Sequence, residues 1–129
     1  MLGSFYYNLN EGKKMTNFIT SKIIDTLLEN GKNNQELNGA IDFKPVVKFF
    51  TPDGNCTWLL TELDAGTDIA FGLCDLGLGF PELGYVDMTD LASIRGSLGL
   101  PVERDRHFKA DKTISAYTEE ARIFSYIKS

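Results

Sequence analysis

Three short runs of strand-forming residues, separated by two turn sequences, constrain the fold of this chain more than any other feature. The first run follows Pro45, the second is Thr57–Leu63 and the third begins at Ile69, while residues 51–55 and 64–68 are rich in turn-forming types. β-Branched and aromatic residues favour strands, whereas Pro, Asp, Gly and Asn favour turns. Consecutive strands joined by loops of about five residues form antiparallel hairpins. The pattern predicts a β-meander whose middle strand, Thr57–Leu63, carries the only tryptophan.

Apolar residues at helical spacing precede this meander. They recur every three to five residues between Phe18 and Leu28, which predicts an N-terminal helix. Thr16 or Asn17 would cap its start, and Asn30-Gly31 would end it in the left-handed conformation that glycine favours.

A second helical series follows the meander. Apolar residues along one side predict a C-terminal helix, capped by Thr113 or Ser115, that covers a side of the sheet: Ile114, Tyr117, Ala121, Phe124 and Ile127 (or Ile123). A short helix capped by Thr89-Asp90 precedes it. The predicted fold class is α+β, with an antiparallel meander of three to four strands (about 45–50, 57–63, 69–74 and 84–88) and helices at about 17–30, 90–95 and 114–127.

Size and composition predict one domain. At 129 residues with a 43% hydrophobic content, the chain can bury a single core. We assign this domain to residues 15–129, and residues 1–14 form a leader or tail without a role. There is no apolar run of about 20 residues to span a bilayer and no secretory signal pattern, which favours a cytoplasmic protein without a membrane partner. Two cysteines, Cys56 and Cys74, are too few for a disulfide framework or a four-ligand zinc site.

The negative charge is concentrated in the middle of the chain. Residues 1–50 have a net charge of +1, residues 51–95 have −7 and residues 96–129 have +1, which gives −5 in total. Nucleic-acid-binding proteins normally present a basic face to the phosphates. The charge pattern of this acidic protein therefore disfavours nucleic acid as a partner and favours another protein.

The strand register determines which residues share a face. We pair Phe50 with Cys56 and Leu63 with Ile69, which places Lys48 across from Trp58 at a distance suited to a cation–π contact. Trp58 and Glu62 then lie together near the small residues of the third strand, Ala70, Gly72 and Cys74. Two alternatives follow: these two residues line a recess, or a helix packs closely over them. The glycine-rich loop after the third strand would bring Leu78 and Phe80 into the end of the core.

The densest group of charges is Glu103-Arg104-Asp105-Arg106-His107. Its carboxylates and its histidine, the only one in the chain, are residue types that bind divalent metals or transfer protons. Alternating charges of this kind also form surface ion-pair networks. The candidates for catalysis across the whole chain are Glu62, Glu82, Glu103, Asp105 and His107, and the candidates for binding are Trp58, Lys48, Arg95 and Arg104.

Several short motifs resemble those of a known bacterial family over about residues 16–120. They are Val47-Lys48-Phe49-Phe50-Thr51-Pro52, Trp58, Thr61-Glu62, Phe71-Gly72-Leu73, Glu82-Leu83-Gly84-Tyr85, Ser93-Ile94-Arg95-Gly96 and Gly99-Leu100-Pro101-Val102-Glu103-Arg104-Asp105. The family is catalogued only as a domain of unknown function and is found on plasmids, conjugative elements and prophages. Its members are sometimes labelled single-stranded DNA endonucleases. Ser97 replaces a proline typical of the family.

Two functions are consistent with these residues. The first is a non-enzymatic binding protein of a mobile genetic element, without a cofactor, that acts on a host defence or DNA-transfer component. The second is a single-stranded DNA endonuclease that uses Mg²⁺. The second would require its carboxylates to converge, and its residues would be Glu62, Glu82, Glu103 and Asp105, with Arg95 and Arg104 at the phosphate.

Overall fold

The computed structural model describes residues 18–129, and it has an α+β fold with three helices and five strands in this range. Thr16, Asn17 and the leader of residues 1–14 lie outside the described residues. No helix between residues 18 and 129 combines the length and the apolar character that a membrane span requires. The elements in chain order are α1 Ser21–Glu36, β1 Val47–Phe50, β2 Thr57–Leu63, β3 Ile69–Asp75, β4 Glu82–Asp87, α2 Met88–Ser93, β5 Glu103–Arg104 and α3 Ile114–Phe124.

The sheet is antiparallel, with the strand order β4-β3-β2-β1-β5. The predicted meander of β1 to β4 is confirmed, and β2 has the predicted bounds. The fifth strand was not predicted because it lies in the charged group of residues 103–107. Its two residues, Glu103 and Arg104, pair with the free edge of β1 opposite Phe50 and Phe49.

The predicted register of the first hairpin is wrong by one residue. Phe50 pairs with Thr57, so Trp58 lies across from Phe49 and not from Lys48. The predicted register between β2 and β3 is observed from Thr57 to Leu60, but it shifts before Glu62, so the predicted pair of Leu63 with Ile69 is wrong and Leu63 pairs with Ala70. Period-two patterns specify a register only where one face of a strand is polar. Because β2 is buried on both faces along most of its length, its hydrophobic pattern does not distinguish the two alignments.

Helix α1 covers the first face of the sheet, and it extends past its predicted end. It is capped by Thr20, whose hydroxyl accepts from the amide of Ile23 at 3.2 Å. Gly31 does not end this helix. A Cβ atom at Gly31 would lie 2.4 Å from the carbonyl oxygen of Leu63, so the glycine permits the helix and β2 to approach closely. The helix ends instead before Asn38 and Gly39, which both have positive φ.

The core on this face lies between α1, α2 and the sheet. Ile24 and Leu27 of α1 pack in the same buried cluster as Phe49, Trp58 and Met88. Trp58 is only 3% exposed. The structure therefore shows the second of the two predicted alternatives, in which a helix packs over Trp58.

Helix α3 covers part of the second face. Its Ile114, Tyr117 and Ala121 pack against Leu59 of β2 and Leu73 of β3. The helix ends at Phe124, earlier than predicted, because Ser125 has a φ of 66°.

A buried carboxylate, Asp75, forms a hydrogen bond that links the segment after α3 to the sheet. Asp75, at the end of β3, accepts from the amide of Ile127 at 3.0 Å and from the amide of Gly77 at 2.9 Å. Ile127 is itself buried, although it lies beyond the helix.

Two further local predictions are wrong. Leu78 and Phe80 do not fill the end of the core, because they are 72% and 77% exposed in the loop between β3 and β4. Helix α2 begins at Met88, before the predicted cap, because the Asp87 carboxylate accepts from the amides of Thr89 and Asp90 and so caps the helix two residues before Thr89.

Candidate functional site

The second face of the sheet is open beside α3. The helix packs on Leu59 and Leu73, but the neighbouring row of residues across β2, β3 and β4 is only partly covered. This row is Glu62, Phe71 and Tyr85, which are register partners and therefore lie on the same face. Glu62 and Phe71 are half-buried, and Tyr85 is 77% exposed.

Two adjoining hollows of about 300 and 530 Å³ meet at this row. Both are lined by Asn34, Gly39, Glu62, Phe71 and Tyr85. The larger hollow extends along residues 39–43 to the start of α3. Volumes of this size are typical of small-ligand and side-chain pockets. We call the two hollows together the Glu62 groove.

The carboxylate of Glu62 is oriented by Asn34 of α1. The Asn34 side-chain amide donates to Oε1 at 3.1 Å and to Oε2 at 2.9 Å. The Asn34 oxygen in turn accepts from the amide of Ile41 at 3.1 Å. No lysine or arginine in the described part of the chain forms an ion pair with Glu62. Glu62 thus presents an ordered carboxylate with unused acceptor positions to the groove.

The other charged groups that line the groove are also acidic. Asp64 lines the smaller hollow and Asp42 the larger one, and neither hollow is lined by a described lysine or arginine. Asp42 caps α3 from 73 residues away by accepting from the amide of Ser115 at 3.1 Å. A hydrogen bond from the Ser115 hydroxyl lowers the pKa of Asp42 below its ordinary value. Asp42 therefore remains negative at neutral pH.

This capping arrangement corrects the sequence prediction for α3. Thr113 occupies the N-cap position, but its side chain makes no capping hydrogen bond. The exposed amide at the helix start is satisfied by Asp42, which no local pattern around residue 113 could indicate.

The groove also has an aromatic wall. The rings of Phe71 and Tyr85 are in edge contact, with 5.2 Å between their centroids. A carboxylate beside an exposed tyrosine ring suits a cation that has a flat or apolar surface, such as a guanidinium group or the end of a lysine side chain. Chemically, the groove can bind such a cation.

Of the sequence candidates, only Glu62 lies in this groove. Trp58 is in the core, and the register shift in β2 separates it from Glu62, which lies on the other face of the sheet. The predicted recess shared by Trp58 and Glu62 does not form. Lys48 lies across from Leu59 and forms an ion pair with Asp105 at 3.7 Å.

The carboxylates proposed for a metal site lie far apart. Glu82 and Glu103 are on the two opposite edge strands, so four strand spacings, about 19 Å, separate their backbones. Glu62 lies five residues along β2 from Thr57, which is level with Glu103 through Phe50, a distance of about 16 Å along the strand. Among residues 18–129 no three His, Cys, Asp or Glu side chains form a group suited to a metal ion. These residues do not assemble the carboxylate cluster that the nuclease hypothesis requires.

The charged group of residues 103–107 has contacts within the fold. Asp105 accepts from the amide of His107 at 2.9 Å, and its own amide donates to the carbonyl of Lys48 at 2.9 Å. Arg104 donates to the carbonyl of Phe18 at 3.2 Å, and its pKa is lowered by burial and by the nearby Arg106.

Arg95 lies apart from this group. It donates to the carbonyls of Ala92 and Ile94 at the end of α2. The two predicted phosphate-binding arginines, Arg95 and Arg104, therefore both donate to backbone carbonyls, in separate parts of the fold.

Sequence reasoning missed four groove residues: Asn34, Asp42, Phe71 and Tyr85. The sequence prediction ends α1 at Asn30-Gly31, before Asn34, and its register does not pair Phe71 with Glu62, which the shift within β2 brings about. One signal was available, since Tyr85 and Glu62 both lie in motifs that carry the family resemblance. The sequence did not indicate the strand register that brings Tyr85 and Glu62 together.

Comparison with known proteins identifies a family and no activity. A model of the family described as a protein of unknown function (DUF2958) matches residues 18–128. No curated protein and no solved structure matches the chain. The prediction of a domain of unknown function is confirmed.

Proposed function

The chain belongs to this family of proteins of unknown function, and we propose that it is a non-enzymatic binding protein whose Glu62 groove takes a lysine or arginine side chain of a partner protein. One observation carries the proposal. The Glu62 carboxylate is oriented by a neutral amide, lacks a cation partner among the described residues and lies beside the half-buried Phe71 and the exposed Tyr85.

The chemistry of the groove supports a basic side chain over other ligands. An incoming guanidinium or ammonium group would donate to the free acceptor positions of Glu62, and a charge-assisted bond of this kind is about twice as strong as a neutral one. Its alkyl or planar part would pack on Tyr85. Asp42 and Asp64 add to the negative potential, which repels phosphate groups. This potential supports a protein partner over a nucleic acid.

The cellular setting is part of the same proposal. The motifs that resemble the mobile-element family support a role as a small cytoplasmic accessory protein of such an element. Its partner would then be a component of host defence or of DNA transfer. Binding without catalysis agrees with the separation of Glu62, Glu82 and Glu103 in the sheet.

The test uses a matched pair of peptides. The probes are an arginine residue flanked by two glycines on each side, and the same peptide with citrulline, which has nearly the same shape but no charge. Binding to the full chain is measured by NMR titration. We expect the arginine peptide to shift the resonances of Asn34, Phe71 and Tyr85, and the citrulline peptide to bind at least tenfold more weakly.

Glu62→Gln is the variant that tests the carboxylate, and Glu82→Gln is its control, because Glu82 is exposed on the same sheet outside the groove. Loss of a hydrogen bond to a charged group costs about 1.5–3 kcal/mol, so Glu62→Gln should weaken binding at least tenfold and Glu82→Gln should leave it unchanged. Equal binding of both peptides, or equal binding by both variants, would contradict the proposal. Cleavage of single-stranded DNA with Mg²⁺ that is lost in Glu103→Ala would support the nuclease hypothesis instead.

A further inference from the structure

The outer edge of β4 is unpaired in the described part of the chain. The strand is last in the sheet order, and its six residues form a regular ladder with β3 on the inner side only. No backbone hydrogen bond from another described element reaches residues 82–87 on the outer side. An edge of this kind presents a row of free amide and carbonyl groups to which another extended chain can bind.

The two edges of the sheet differ in how well they are protected. The opposite edge, β5, has only two residues, and both are charged. Short and charged edge strands resist pairing with other chains. In β4 the charges are confined to the ends, Glu82 and Asp87, and the four residues between them are uncharged. The interior of β4 therefore lacks the protection that β5 has.

The surroundings of β4 provide space and apolar surface for a sixth strand. A Cβ atom at Gly84 would meet no atom within 4 Å. Leu83 and Tyr85 are exposed on the second face. A hollow of about 450 Å³ beside the start of the strand is lined by residues that include Phe80, Leu83 and Arg122.

Charge determines which occupant suits this edge. A second copy of the chain that paired antiparallel with β4 would bring the Glu82 end of each strand next to the Asp87 end of the other, and so place acidic groups close together at both ends of the pair. Like charges brought close together repel each other, which disfavours this pairing. A basic segment would instead bring opposite charge to Glu82 on the first face, while Asp87 and the nearby Asp64 and Asp68 of the β2–β3 turn add to the negative charge around the other end of β4.

We infer that β4 binds an extended segment of a partner protein by strand addition, and that this segment alternates apolar with basic residues. Its apolar side chains lie on the second face beside Leu83 and Tyr85. Its lysine or arginine side chains lie on the first face, on the same side as Glu82 and next to the open space at Gly84. This inference does not rest on the carboxylate of the Glu62 groove, since β4 binds through its main chain, although Leu83 and Tyr85 contribute to both surfaces.

The probe for the experiment is a capped octapeptide of alternating lysine and valine, with the glutamate–valine octapeptide as the control. Hydrogen exchange of the full chain is followed by NMR. We expect saturating lysine–valine peptide to slow exchange of the outward-facing amides of residues 83–86 at least tenfold, while β5 is unchanged. Unchanged exchange in β4, or equal protection by the two peptides, would overturn the inference.

A variant pair tests the main-chain contact directly. Adjacent residues of a strand direct their amides to opposite sides, so one of Gly84 and Tyr85 directs its N–H outward, away from β3. Replacing that residue with proline, as Gly84→Pro or Tyr85→Pro, removes an N–H that forms no hydrogen bond within the sheet. That variant should remain folded by circular dichroism and bind the lysine–valine peptide at least tenfold more weakly. Undiminished binding by that folded variant would overturn the inference. Protection of β4 that rises with protein concentration in the absence of peptide would assign the edge to a second copy and would also overturn it.

Discussion

Asn34 on α1 and Glu62 on β2 are joined by two hydrogen bonds, from the Asn34 amide nitrogen to both carboxylate oxygens at 3.1 and 2.9 Å. The same side chain accepts from the amide of Ile41. One asparagine therefore links the end of the helix, the sheet and the segment that follows the helix. This link both orients the groove carboxylate and fixes the wall of the groove.

Replacing Asn34 with Asp tests this link. The substitution puts a second carboxylate in place of the donor, so two hydrogen bonds are lost and two like charges face each other. We expect the free energy of unfolding to fall by about 1–3 kcal/mol, and the loss to shrink in high salt because partly exposed charges are screened. Urea denaturation at low and high salt measures both effects.

Gln35→Glu is the control for this experiment. It adds the same charge one residue further along α1, at an exposed position with no side-chain bond to Glu62. We expect it to change stability by no more than about 0.5 kcal/mol. If both variants were equally stable, the Asn34–Glu62 contact would make no contribution to the fold.

Whether Gly31→Ala stabilises or destabilises the protein depends on packing around this residue. In an exposed helix this change would stabilise by about 1 kcal/mol. Here the new Cβ would lie 2.4 Å from the carbonyl oxygen of Leu63, which is backbone and cannot move aside cheaply. We therefore expect destabilisation of about 1–3 kcal/mol by overpacking, measured as a lower midpoint in thermal unfolding.

Gly84→Ala is the matched control for that substitution. Its Cβ would meet no atom within 4 Å, so the variant should be as stable as the parent or slightly more stable. A Gly31→Ala protein that is more stable than the parent would show that α1 and β2 separate easily at this point.

The contrast between Gly31 and Gly39 shows what could be predicted from the sequence. The existence, type and order of the main elements were predicted because apolar periodicity and turn residues are local signals. The end of α1 was not predicted correctly, because a glycine that ends a helix and a glycine that permits close packing look the same in the sequence. Only contact with Leu63, 32 positions away, distinguishes the two.

The site was less predictable than the fold for the same reason. Glu62 was a candidate, but its predicted neighbour, Trp58, is on the other face, because the period-two argument does not anticipate the register shift between Leu60 and Glu62. Asn34 and Tyr85 meet Glu62 only through the packing of α1 and the pairing of β4. A site assembled from separate elements depends on register and helix length, which are the features that local patterns specify least.

The two cysteines should differ in reactivity. Burial raises the pKa of the Cys74 thiol to about 11. Burial also raises the pKa of the Cys56 thiol, but a side-chain hydrogen bond with Thr51 opposes this rise. The thiolate is the reactive form. We therefore expect iodoacetamide at pH 8 to modify Cys56 faster than Cys74 in the folded protein, and both at similar rates in urea, as measured by peptide mass spectrometry.

The same burial makes stability depend on alkaline pH. The thiol of Cys74 ionises near its ordinary pKa of 9.0 in the unfolded chain and near 11 in the folded protein. The unfolded state is thus favoured progressively as the pH rises through this interval. Cys74→Ser should reduce this decline between pH 9 and 11. Faster alkylation of Cys74 than of Cys56 in the folded protein would contradict the assignment of Cys74 as the more buried thiol.

Asp42 gives the opposite dependence, at acidic pH. Its bond from the Ser115 hydroxyl lowers its pKa in the folded protein below 3.8, the ordinary value expected when unfolded. Its contribution is therefore complete above that value and is lost as the pH falls through the folded pKa. Because Asp42 is exposed to solvent, we expect Asp42→Asn to cost no more than about 1 kcal/mol at pH 7. The difference from the parent should disappear at the acid end of a urea-denaturation series.

Two comparisons separate this capping effect from the loss of a surface charge. Asp25→Asn removes an exposed carboxylate of α1 and should leave both stability and its pH dependence nearly unchanged. Ser115→Ala removes the hydroxyl that lowers the pKa of Asp42, so it should weaken the acid dependence even though the carboxylate remains. The stability difference between Asp42→Asn and the parent could instead stay constant down to pH 2. That result would show that the charge of Asp42 does not contribute to stability, and that Asp42 caps α3 only as a hydrogen-bond acceptor.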